Sequence, residues 1–203
     1  MPVPRPKRKY VVLAAAACAA VLAVVLGVSG FSSSTSGDVT YVDGSTTAFM
    51  YNAGHQPLAP DFSGTTLTGA PLNFSSYRGK VVVLNFWGSW CTACREESPT
   101  LTVVAEQEQQ KDVSFLGVDL QDTDASALAF VKNHDVNYPS VSDPGALIAL
   151  KFSSVTPISS TPTTLVIDRS GRIAGEVVGA ASYSELTTML ARVSGPAGAG
   201  SGA

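Results

Sequence analysis

The chain has 203 residues, 45% of them hydrophobic and only 14% charged, with a formal net charge of −3 at pH 7. A charged share well below the usual quarter or so excludes a long disordered polyelectrolyte and a charge-laced coiled coil. Four of the 13 basic residues (Arg5, Lys7, Arg8 and Lys9) stand at the amino terminus, leaving 9 against 16 acidic residues beyond residue 30, a charge of −7 that offers no basic stripe for nucleic acid.

From Val11 to Val28 the sequence runs eighteen residues without a charge. As a helix it would rise about 27 Å, close to the hydrocarbon thickness of a bilayer. The four preceding bases orient it with the amino terminus in the cytoplasm, so the remainder is expected outside. Residues 1–30 therefore read as a retained membrane anchor. The alternative is a signal peptide cleaved near Val28-Ser29-Gly30, leaving a secreted or lipid-anchored protein, but the run exceeds the usual apolar core of about 7–15 residues. Cys18 lies inside the run and reads as a small residue of that helix.

Residues 31–56, rich in Ser, Thr and Gly, read as a flexible tether. A domain is expected over 57–193. Within it, Val81 to Trp87 is an almost continuous β-branched and aromatic run, the pattern of a central strand buried on both faces. A helix follows from the Cys91–Cys94 region to about Gln110, with Leu101, Val104 and Ala105 on its apolar stripe. Val113 to Leu120 is a second strand. Asp124 to His134 reads as a helix capped by Asp122 or Thr123, with Ala127, Leu128 and Val131 inward. Pro144 to Phe152 holds a short helix. Thr163 to Asp168 and Ile173 to Val178 form a hairpin about Ser170-Gly171. Ser182 to Val193 closes the domain as an amphipathic helix burying Leu186, Met189 and Leu190. Residues 194–203, ending in GPAGAGSGA, read as a disordered tail. Strand, helix, strand, helix, hairpin and helix make an α/β domain with a mixed sheet.

Apart from Cys18, the cysteines are Cys91 and Cys94. A disulfide closing so short a loop adds little stability, because loop entropy rewards long loops. In an oxidising compartment such a pair is better explained by exchange than by stapling. A zinc site needs further ligands, and His55 and His134, the two histidines, stand near no third thiol. At a strand-to-helix junction Cys91 would meet the positive end of the helix dipole and free N–H groups, which favours its thiolate. Cys91 is thus the expected nucleophile, Cys94 the shielded resolving thiol, and Trp90 the side chain screening the exposed sulfur from water.

The run FWGSWCTACREESP over 86–99, preceded by VVVLN, resembles the thioredoxin-like fold. More narrowly it resembles the membrane-tethered ResA/TlpA-type thiol–disulfide oxidoreductases of bacteria. The resemblance implies a three-layer fold, a central mixed sheet flanked by helices, with an extra amino-terminal β-hairpin over 59–80. It places Thr161-Pro162 at the family's cis-proline, where the Thr161 backbone would face a bound peptide opposite Cys91; Pro157 is the competing position. Asn85 stands where cytoplasmic thioredoxins carry a buried aspartate, and an amide cannot take the Cys94 proton. Glu97 matches the glutamate of the family's C-R-x-E-x-P run and is a candidate base, or else a helix-surface carboxylate.

The implied function is a thiol–disulfide oxidoreductase, more in the reducing direction, acting on cysteine pairs of exported proteins. Apocytochrome c is the expected substrate and a membrane thiol transporter the expected electron donor. No metal, flavin or nucleotide is implied. Ala93 departs from the family's common proline before the second cysteine, which bears on the reduction potential. A disulfide-forming oxidase is the nearest alternative. A peroxidase on this fold wants Thr three residues before its cysteine, where Cys91 has Gly88. A Sco-type copper chaperone needs one more residue between the cysteines. A redox-inert peptide-binding module would not need the pair.

Overall fold

A computed structural model describes residues 38–194 except Gly44 and Thr46, so the expected anchor over 1–30 and the tail beyond Ser194 lie outside the described residues. Among the described residues no helix is long and apolar enough to cross a membrane. The strands are Val39–Tyr41 (β1), Ala48–Tyr51 (β2), Ser63–Thr65 (β3), Pro71–Asn73 (β4), Val81–Trp87 (β5), Val113–Leu120 (β6), Ser140–Asp143 (β7), Thr163–Ile167 (β8) and Ile173–Val178 (β9). The α-helices are Thr92–Glu108 (α1), Asp124–Asn133 (α2), Leu147–Lys151 (α3) and Tyr183–Ser194 (α4).

Seven strands form one sheet in the order β1-β2-β9-β8-β5-β6-β7. β6 runs parallel to β5 and β7, whereas β8, β9, β2 and β1 are antiparallel to their neighbours. The continuous apolar run of β5 has its reason here: it pairs on both edges and every residue is buried. Alternation along the strands divides the core. Val81 and Val83 meet Leu101 and Val104 of α1 and Leu186, Met189 and Leu190 of α4. Val82, Leu84 and Phe86 face the other way, onto Phe62, Leu72 and Phe74 around the β3–β4 hairpin and onto Ile148 and Phe152. Helices thus cover one face, and the hairpin with α3 covers the other. This is the expected thioredoxin-like architecture, including the amino-terminal hairpin.

Three expectations need correction. The tether over 31–56 is not one throughout, because β1 and β2 lie within it and β2 zips onto β9 from Ala48↔Val177 to Met50↔Gly175. Val42 and Ala48 are fully buried there, which gives the segment apolar anchors too sparse to show as periodicity. In α2, capped by Thr123, Ala127 is buried as expected, but Leu128 is 43% exposed and Phe130 takes the inward position. Ser194, assigned to the tail, is the last residue of α4. The short strand β7 adds to the expected elements; Ser140-Val141-Ser142-Asp143 carries one apolar residue in four, too few to form a pattern.

Candidate active site

β5 ends at Trp87, and three residues separate it from Cys91, after which α1 begins at Thr92. Cys91 is the N-cap of that helix, with extended backbone (φ −85°, ψ 119°), and its Sγ accepts the Cys94 N–H at 3.0 Å. The sulfur therefore occupies the place that a capping oxygen usually takes, at the positive end of the helix. Cys91 and Cys94 are joined as a disulfide with Cα atoms 5.3 Å apart. Both are buried in this oxidised form, at 5% and 2% exposure, so the expected contrast between an open and a shielded sulfur is slight. Thr161-Pro162 is a cis peptide bond, and the Thr161 carbonyl oxygen lies 3.5 Å from Cys91 Sγ. The disulfide sulfur carries no proton, so this is a contact across which a reduced Cys91 thiol could donate.

Trp90 is half-exposed, and its Nε1 donates to the Leu120 carbonyl at 3.0 Å. Its indole folds over Gly88, where a Cβ would stand 2.5 Å from Trp90 Nε1, so this position has room for glycine alone. The aromatic ring clustered with the cysteines is Trp87, together with Ala127 and Phe130 of α2. Trp87 Nε1 donates to Ser140 Oγ at 3.3 Å, and Gly117 on β6 leaves room for the indole. Trp87 is thus a second indole at the cysteines, beside the Trp90 expected there. Its placement inside the β5 run hid it among core residues.

Glu97, one turn beyond Cys94, is buried at 2% exposure, which disposes of the surface-carboxylate alternative. Its Oε2 accepts Asn85 Nδ2 at 3.0 Å, and its Oε1 accepts the Thr164 hydroxyl and the Ala181 N–H, each at 3.0 Å. Asn85 spends its second amide hydrogen on Thr164 Oγ1 at 2.9 Å. Asn85 is therefore no proton acceptor; it is one of three donors that hold the carboxylate. Burial pushes the Glu97 carboxyl up to about 7, and the hydrogen bonds from Ala181, Thr164 and Asn85 pull against that rise. Thr164 and the Ala181 amide escaped the sequence reading because β8 and the loop before α4 meet α1 only in the fold. Pro99 stands inside α1 and removes the bond its nitrogen would give to the helix.

The structure thus gathers Cys91, Cys94, Thr161 and Pro162 at one end of the sheet, with the Asn85–Glu97–Thr164 network attached through α1 and β5. Among the described residues, no three His, Cys, Asp or Glu side chains gather so as to hold a metal ion.

Residues 56–175 match the AhpC/TSA family. The chain is 33% identical over 135 residues to the thiol-disulfide oxidoreductase ResA of Bacillus thuringiensis subsp. konkukian, covering 66% of this chain and 76% of that protein. Among solved structures, a secreted thiol-disulfide isomerase from Corynebacterium glutamicum superposes with a TM-score of 0.69 at 28% identity, covering 77% of this chain and 97% of that one. A DsbF homologue from Corynebacterium diphtheriae gives a TM-score of 0.66 at 31% identity, over 75% and 97% of the two chains.

Proposed function

The chain belongs to the AhpC/TSA family, with a thioredoxin-like fold and the activity of a thiol–disulfide oxidoreductase, and from that premise we propose that it reduces cysteine pairs in exported proteins outside the cytoplasm. The observation that carries the reading is Cys91 at the cap of α1, its sulfur accepting the Cys94 N–H and lying against the Thr161 carbonyl.

In this reading the reduced enzyme attacks a substrate disulfide through the Cys91 thiolate. One substrate sulfur leaves as a thiolate and takes a proton, and Cys91 is held in a mixed disulfide. Glu97 receives the Cys94 proton, directly or through water. The Cys94 thiolate then attacks Cys91 Sγ, expelling the second substrate thiol and closing the Cys91–Cys94 disulfide. Two electrons pass to the substrate, and an external dithiol returns them. Thr161 and Pro162 form the edge against which the substrate segment lies, while Trp87 and Trp90 border the sulfurs. Residues 11–28 serve as the membrane anchor, a membrane thiol transporter is the electron source, and apocytochrome c is the substrate. These last three assignments rest on the charge pattern of the amino terminus and on the family.

Insulin reduction by dithiothreitol tests the reaction. The wild-type chain should accelerate it, Cys91→Ala should abolish the acceleration, and Cys94→Ala should accumulate a mixed disulfide through Cys91. The reverse pattern in the two variants would overturn the assignment of roles. The direction is read from the reduction potential: a value well below about −200 mV fits a reductase, whereas one near −120 mV would make the chain an oxidant.

A further inference from the structure

Four aspartates meet where β6 ends beneath the loop that leads into Cys91. Three of them have donors. Asp122 accepts the Ser89 N–H through Oδ2 and the Thr123 N–H through Oδ1, both at 2.8 Å. Asp124 on α2 accepts the Ser142 hydroxyl at 2.9 Å. Asp143, at the end of β7, accepts the N–H groups of Leu147, Ile148 and Ala149 at 2.8, 2.9 and 3.2 Å. Asp119 differs: it is fully buried, and neither carboxylate oxygen has a donor. The polar group against it is Asp122, itself an acceptor.

An ionised carboxylate without donors, removed from water and surrounded by three like charges, is strongly unfavourable. A proton on Asp119 relieves this and supplies the hydroxyl that a neighbouring carboxylate can accept, the arrangement by which two adjacent carboxyls share one proton. Asp122 is thereby kept ionised and oriented toward Ser89. The loop is gripped at several points. Asp122 holds the Ser89 N–H, Arg95 Nη2 donates to the Ser89 carbonyl at 2.9 Å, and Trp90 Nε1 donates to the Leu120 carbonyl. Gln121, with φ of +52°, turns the chain between the two β6-end residues that make these bonds.

We propose that Asp119 and Asp122 share one proton and act as a positioning pair, fastening the Ser89–Trp90 loop and hence Cys91 to the end of β6. Loss of the proton sets the buried Asp119 carboxylate against the half-buried one of Asp122 and loosens the Ser89 bond. The charged groups that act on the pair are Asp124 from α2 and Asp143 from β7, while Arg95 of α1 reaches the same loop at the Ser89 carbonyl; among the described residues no lysine, arginine or histidine forms an ion pair with Asp119 or Asp122. Burial, aided by Asp122, Asp124 and Asp143, pushes Asp119 up to about 7, so the fastening changes within the physiological range. The importance of this loop for catalysis rests on the function proposed above, but the fastening itself does not.

The test uses the oxidised full chain, in which neither Cys91 nor Cys94 titrates, and follows the Ser89 amide and Trp90 indole nitrogen–proton resonances by NMR from pH 5.5 to 8.5. Both should shift with one midpoint near 7. Asp119→Asn keeps the shape and provides a permanent N–H donor to Asp122, so the transition should vanish with the resonances held at their low-pH positions. Flat wild-type resonances, or a transition that survives in Asp119→Asn, would overturn the proposal. The wild-type titration decides even where the variant fails to fold. As a second readout, insulin-reduction kcat/KM in wild type should carry an ionisation that Asp119→Asn lacks, with equal rates at pH 6. Failure of Cys91→Ala to lose activity would instead strike the functional reading and leave the resonance titration untouched.

Discussion

Glu97 shows best how one side chain acquires its chemistry. Its carboxylate is buried, which favours the protonated form, yet three donors hold the ionised form, leaving it near 7 where it can take a proton and return it. Glu97→Gln preserves size, and an Asn85 amide flip keeps all contacts to the new amide at the loss of the Asn85–Thr164 bond alone, so the fold should stand. Resolution of the mixed disulfide should slow by about 10²-fold, a typical loss for a general base. Its pH profile should also lose the inflection near 7. Stopped-flow release of a fluorescent thiol substrate measures both, and a rate unchanged by the substitution would remove Glu97 from the proton path. The sequence announced the two cysteines and the glutamate because their spacing along one helix is itself the signal. It concealed Thr164 and the Ala181 amide, which come 67 and 84 residues later and meet Glu97 only through strand pairing. Asp119 left a fainter trace, a charged residue inside the apolar run VSFLGVDL, where burial of an acid should have prompted the search for a partner.

At the scale of elements, long apolar strands and the amphipathic α4 were legible because their periodicity is set by the core they cover. β1, β2 and β7 were not, since short strands with one or two buried residues have no pattern to repeat. β2 nonetheless has a specific task. It covers β9, and Tyr51 with Thr156 donates to Glu176, a buried acid on β9. Thr156 lies on the segment that continues to Thr161, so β2, β9 and the Thr161 loop are tied together. Deleting residues 38–52 would uncover Met50 and Ala48 contacts and strip the edge of β9. The expected loss is roughly 3 kcal/mol from lost apolar burial, read as a lower urea midpoint. A deletion that leaves the midpoint in place would return this segment to the status of a tether.

Across the whole molecule the buried acids share one consequence for stability. Glu97 and Asp119 ionise near 7 in the fold, both raised chiefly by burial, and burial also raises Glu176. Between about pH 4.5 and 7 the fold retains protons that the unfolded chain has released, so stability falls as pH rises through that window. Asp122, lowered by its hydrogen bonds from Ser89 and Thr123, acts in the opposite sense at lower pH. The Tm of the oxidised chain should accordingly be higher at pH 5 than at pH 8. Glu97→Gln should flatten the slope by up to about 3 kcal/mol, the equivalent of raising one carboxyl from 4.5 to about 7; a Tm that climbs from pH 5 to 8 would contradict this linkage. The exchange reaction depends on the cap of α1 making the Cys91 sulfur acidic. The rate at which iodoacetamide alkylates Cys91 in the reduced full chain, followed by mass spectrometry against pH, measures this directly. A midpoint well below the about 8.5 of a free cysteine is expected, and a midpoint at or above that value would contradict an activated Cys91.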